Sequence, residues 1–115
     1  MTLNIAKELL MMNELIQHLS VGNHPVVFSR GASTEVLKQS IDRGFVLVKF
    51  TDTQGGTELG MKLDDQTQLG EADFNQAKGI AHLSGSLVLN YVKVRCLVDI
   101  DLATLRGQGH LEIIQ

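Results

Sequence analysis

FVLVKFTDTQGGTELGMKLD, residues 45–64, holds two alternating runs around a pair of glycines. Val46, Val48 and Phe50 share one parity while Lys49 and Thr51 take the other; Leu59, Met61 and Leu63 repeat the pattern against Glu58 and Lys62. A period of two is that of a strand with one face buried. The intervening DTQGG is either a phosphate cradle or a turn. A P-loop needs GxxxxGK[ST] opening a helix, and a dinucleotide fingerprint needs GxGxxG between a strand and a helix. Here no lysine stands at the required place and a strand follows. Gly55 and Gly56 therefore read as a hairpin turn, where positive φ is needed.

Upstream, HPVVFS (24–29) reads as a short strand entered through the only proline. Ser33 or Thr34 can cap a short helix that carries Val36, Leu37 and Ile41 and stops at Arg43-Gly44. Residues 3–19 place Ile5, Leu9, Met12, Ile16 and Leu19 at spacings of four and three, a helical stripe capped by Thr2 or Asn4 and followed by Gly22. Leu10, Met11 and Leu15 widen that stripe, and Met11 and Leu15 are candidates for contact with a second subunit.

Downstream, the acidic stretch 64–79 lacks the ligand order of a calcium loop and reads as a solvated connection with one helical turn around Phe74. GIAHLSGSLVLN (79–90), VKVRCLVDID (92–101) and GHLEIIQ (109–115) alternate again, the last with Leu111 and Ile113 inward and His110 and Glu112 outward. Val92, Val94, Cys96, Val98 and Ile100 face in, so Cys96 reads as a small buried hydrophobe. One-faced strands with striped helices predict a single two-layer α+β domain over residues 1–115. Its mainly antiparallel sheet has about five to six strands, an N-terminal helix and a short second helix pack on one face, and the other face stays open.

The charge of −3 comes with no Lys/Arg run, and aromatic residues are only 4%, which argues against nucleic acid as a partner. A single cysteine allows no intrachain disulfide and suggests a reducing, cytoplasmic setting. Lys7, Glu8 and Glu14 interrupt the apolar start, so it reads as neither signal peptide nor membrane span. No Ser-His-Asp order, HExxH, CxxC or GxSxG motif occurs.

One constellation follows from strand parity. If Asn90-Tyr91 is a two-residue turn, His82 opposes Asp99 and Ser86 opposes Arg95. If residues 102–107 join the next pair with Asp101 opposite Gln108, Asp99 also opposes His110. A His82–Asp99–His110 row suits a metal or an acid–base pair, and equally suits a plain row of exposed cross-strand pairs. Arg95, with Lys93 and Ser86, could hold an anion. His18 and His24 read as helix-end and loop residues.

Two functional expectations result. The first is a cytoplasmic, non-catalytic binding or assembly protein, homo-oligomeric through the open sheet face or the first helix. It would take a protein partner or a small anionic ligand, with no cofactor and no metal. Leu97 and Ile114, apolar among outward polar residues, are its interface candidates on the sheet. The second is a small metal-dependent or acid–base enzyme built on His82, Asp99 and His110.

Overall fold

In the computed structural model, which describes residues 14–29 and 33–114, the chain forms helix α1 (residues 14–20) and β1 (His24–Phe28), then α2 (Thr34–Arg43). These are followed by β2 (Phe45–Phe50), β3 (Thr57–Leu63), β4 (Ala72–Asp73), β5 (Lys78–Leu89), β6 (Val92–Asp101) and β7 (Arg106–Ile113). The strand order is β3-β2-β1-β7-β6-β5-β4, with β3 also paired to β5. Six antiparallel strands therefore close into a barrel, and β4 adds to β5 outside the closure.

The expected two-layer α+β arrangement is thus corrected to a closed barrel with one extra strand and, among the described residues, two helical segments. Both architectures bury one face of every strand, so alternation cannot separate them. What separates them is the seam. Lys62 pairs with Ser86 and Leu63 with Gly85, joining the two outer strands of the sheet. Three glycines allow the coiling this demands. A Cβ at Gly85 would lie 2.7 Å from the Lys62 carbonyl, one at Gly109 would lie 2.6 Å from the Leu97 carbonyl, and one at Gly107 would collide with the Asp99 carbonyl. Strands that approach this closely are how a sheet turns a barrel corner.

The inward parity fills the interior. Val46, Val48, Phe50, Met61, Val94, Cys96, Ile100 and Leu111 are completely buried. Each such side chain contributes on the order of 1.5–3 kcal/mol on leaving water. The helices act as plugs rather than a layer. Ile16 and Leu19 of α1 and Leu37 of α2 join the same core. Ser33 caps α2 by accepting from the Val36 N–H, and Gly44 ends it at φ 80°. Because α1 leads into the start of β1 and α2 joins the end of β1 to the start of β2, the helices lie at opposite ends of the barrel.

The hairpin at 51–56 forms as expected, with Phe50 opposite Thr57 and positive φ at Gly55 and Gly56. The acidic stretch does not. Instead of a solvated loop with a helical turn, it runs along the free edge of β5. Asp64 N–H donates to the Ser84 carbonyl, Gln68 and His82 exchange backbone bonds, and β4 pairs with Lys78 and Gly79. The edge of β5 left open by the short seam recruits it. Residues 3–13 of the proposed N-terminal helix, Met11 among them, lie outside the described residues.

Candidate functional site

Two polar clusters compete for the role, one on the barrel wall and one at the α1 end. The wall cluster begins with the β5–β6 register, which pairs His82 with Asp99 and Ser86 with Arg95 as parity predicts. The connecting turn has φ 50° at Asn90 and 70° at Tyr91, the two positive values a type I′ turn requires, although Tyr91 suits it poorly. The β6–β7 register differs from expectation. Asp101 pairs with Arg106, so the turn spans only Leu102–Leu105, and Asp99 falls opposite Gln108 while His110 falls opposite Leu97. His110 instead stands 3.6 Å from Glu112. The three-residue row is therefore divided.

Glu71, delivered by the recruited edge segment, takes the place foreseen for His110. His82 Nδ1 lies 2.7 Å from Asp99 Oδ1, and Nε2 lies 3.0 Å from Glu71 Oε1. Ionised carboxylates only accept, so this geometry favours the doubly protonated imidazolium. The hydrogen bond to Glu71, then that to Asp99, raises the His82 pKa above its ordinary value. Next along the wall, Ser84 Oγ donates to Asp64 Oδ2 at 3.1 Å, and Thr67 Oγ1 both accepts from Ser84 N–H and donates to its carbonyl. Arg95 Nε is buried 3.6 Å from Asp64 Oδ2 without a hydrogen bond. Its charge is already faced by a carboxylate, which weakens it as an anion anchor; Lys93 is exposed and Ser86 half-buried.

The second cluster gathers residues that the sequence reading left apart. His24 opens β1 and is buried. The β1–β2 pairing continues through the Thr51 N–H to the Pro25 carbonyl, which brings Asp52 beside it. Gly22, at φ 74°, reverses the chain after α1 and carries His18 to the same place. His24 Nδ1 is 2.7 Å from Asp52 Oδ2, and His18 Nε2 is 3.7 Å from that oxygen. The two imidazole centroids stand 4.6 Å apart, tilted by 53°. His24 Nε2 lies 2.8 Å from the Val21 carbonyl, an obligate acceptor, so this nitrogen carries a proton. The hydrogen bond that His24 donates to Asp52 raises the His24 pKa against the opposing effect of burial, and His24 in turn holds the Asp52 carboxyl below its usual range. Three separate elements supply the three residues, so the glycine at 22 was the only local sign of their meeting.

Of the six large apolar side chains exposed among the described residues, two, Phe45 and Ile80, lie at the α2 end where β2 and β5 begin, and four lie at the other end. Val21, Val88, Tyr91 and Ile113 are 74%, 68%, 87% and 56% exposed, and all four lie at the α1 end, where β1, β3 and β6 begin and β2, β5 and β7 finish. Of the interface candidates, Leu15 packs half-buried against the core, and Leu97 and Ile114 are half-buried. At the other end, a shallow cleft of about 540 Å³ lies between the start of α2 and the β6–β7 turn, lined by Ser33, Thr34, Thr104 and Arg106 among others. Burial pushes the Cys96 thiol up to about 12, so it is an inert core residue. Among the described residues, no helix is long and apolar enough to cross a membrane.

No model of a known protein family matches the chain, and no curated protein matches it either.

Proposed function

We propose that this chain is a small cytoplasmic, non-catalytic assembly protein that pairs with a second copy of itself through the α1 end of the barrel. The observation that carries this reading is the exposure of Val21, Val88, Tyr91 and Ile113 at one end, against a wall whose polar groups bind one another. Clustered apolar side chains that remain in water favour a partner that removes them from it. A two-fold contact is the commonest way for one surface to cover itself. Tyr91 at the tip of the β5–β6 hairpin suits the centre of such a contact, because a tyrosine buries much area with little rotamer entropy. The cytoplasmic setting is supported by the single cysteine, free and buried.

The enzyme reading draws less support. With a carboxylate facing each of its nitrogens, His82 has no lone pair free toward a substrate, which makes it poorly placed as a general base. A small anion at Arg95 would have to compete with Asp64.

Size-exclusion chromatography with light scattering tests the proposal. The wild-type chain should elute as a dimer at tens of micromolar concentration. The double variant Val88→Ser/Tyr91→Ser should be a monomer with an unchanged circular dichroism spectrum. A wild-type monomer throughout that range would overturn the reading.

A further inference from the structure

We propose that His18, His24 and Asp52 form a site for a divalent first-row transition ion of the zinc and cobalt class. The three donor atoms lie within 4.8 Å of one another. Ligands held at ~2.0–2.1 Å by a tetrahedral ion stand roughly 3.3 Å apart. The spacings of 2.7 Å and 3.7 Å to the shared Asp52 oxygen bracket that value. A small swing of the exposed His18 ring closes the set.

The donor chemistry selects the ion. Two imidazoles and one carboxylate suit zinc, cobalt or ferrous iron, whereas calcium and magnesium prefer oxygen alone. The surroundings of His24 match those of a metal-binding histidine. Its Nε2 proton is given to the Val21 carbonyl, which fixes the ring and leaves Nδ1 as the donor toward Asp52 and His18. Without an ion, Nδ1 must hold a proton to face the Asp52 oxygen; the ion takes that place and the proton goes to water. His24 is buried and held from both sides, while His18 and Asp52 remain open enough for an ion to enter. Three protein donors leave a coordination position for water. His82 offers no comparable site, because both of its nitrogens already face separate carboxylates.

The test uses the full chain without a polyhistidine tag, freed of metal with a chelator. It is titrated with cobalt(II), followed by visible absorption, and with zinc(II), followed by calorimetry. The proposal expects one ion per chain and the visible bands of nitrogen- and oxygen-ligated cobalt. His18→Ala, at an exposed position, should weaken binding by roughly tenfold or more with the fold intact, and Asp52→Asn should do the same. His82→Gln should bind as the wild type does. A wild-type chain that takes up no ion would overturn the proposal. So would binding that survives both His18→Ala and Asp52→Asn.

Discussion

The wall and the α1 end of this barrel both carry a histidine with two engaged nitrogens, but the two clusters differ in what they leave over. On the wall, His82, Glu71, Asp99, Ser84, Thr67 and Asp64 bind one another. At the end, His24 is fixed by a backbone carbonyl, His18 stands beside it half in water, and four large apolar side chains are exposed around the rim. A polar cluster that satisfies itself reads as architecture, since it pins the segment 64–73 onto β5. A cluster with a directed donor and uncovered apolar neighbours has something left to bind.

Substitutions should separate the two regions. The largest effect is expected from His24→Ala, which strips the Val21 carbonyl and Asp52 of their partner and should lower unfolding free energy by about 2–3 kcal/mol in urea titrations. A loss no larger than that of a wall substitution would erase the distinction. Tyr91→Gly should raise stability by about 0.5–1 kcal/mol, because φ of 70° strains a residue bearing a Cβ, and the same change should weaken self-association. Opposite signs in the two assays would place Tyr91 in the binding surface rather than the fold.

A smaller, pH-dependent effect is expected on the wall. Folding raises the His82 pKa, so its stabilisation is complete below the unfolded imidazole value near ~6.5 and is lost as pH rises through the higher folded value. His82→Gln should therefore cost ~0.2–1 kcal/mol at pH 5.5, within the range of exposed ion pairs, and next to nothing at pH 8.5. A loss equal at both pH values would contradict the imidazolium assignment. Smallest of all, Val88→Ser should change stability by less than about 0.5 kcal/mol while reducing dimer content, as expected of a side chain whose burial awaits a partner.

How much of this was legible in the sequence follows from how local each feature is. The six barrel strands in outline, the Gly55-Gly56 turn, a cap at Ser33 or Thr34 and the inward parity from Val46 to Leu111 are set by neighbouring residues and are legible. β4 is not, β7 begins at Arg106 inside the expected 102–107 connection, and Ile113, expected inward, is exposed. The closure was not legible, because it depends on Leu63 meeting Gly85 across a gap that alternation leaves invisible. Gly85, Gly107 and Gly109 were the available sign, since glycines inside alternating strands mark close approach and bending. The wall cluster was half legible. The two-residue turn at Asn90-Tyr91 fixed His82 against Asp99, but the four-residue turn at Leu102–Leu105 moved His110 along by two places. Glu71 entered through an edge segment whose course only the closed seam dictates. The His18–His24–Asp52 group required the barrel itself, because β1 and the turn after β2 meet only once their strands are paired.

The central claim is that the α1 end, rather than the wall, is the binding surface. Two-dimensional amide NMR of the chain over a concentration series is the test. Shifts and line broadening on concentration should centre on Val21, Val88, Tyr91 and Ile113 and leave His82, Ser84 and Asp99 unmoved. Changes confined to the His82 wall, with the α1 end silent, would contradict it.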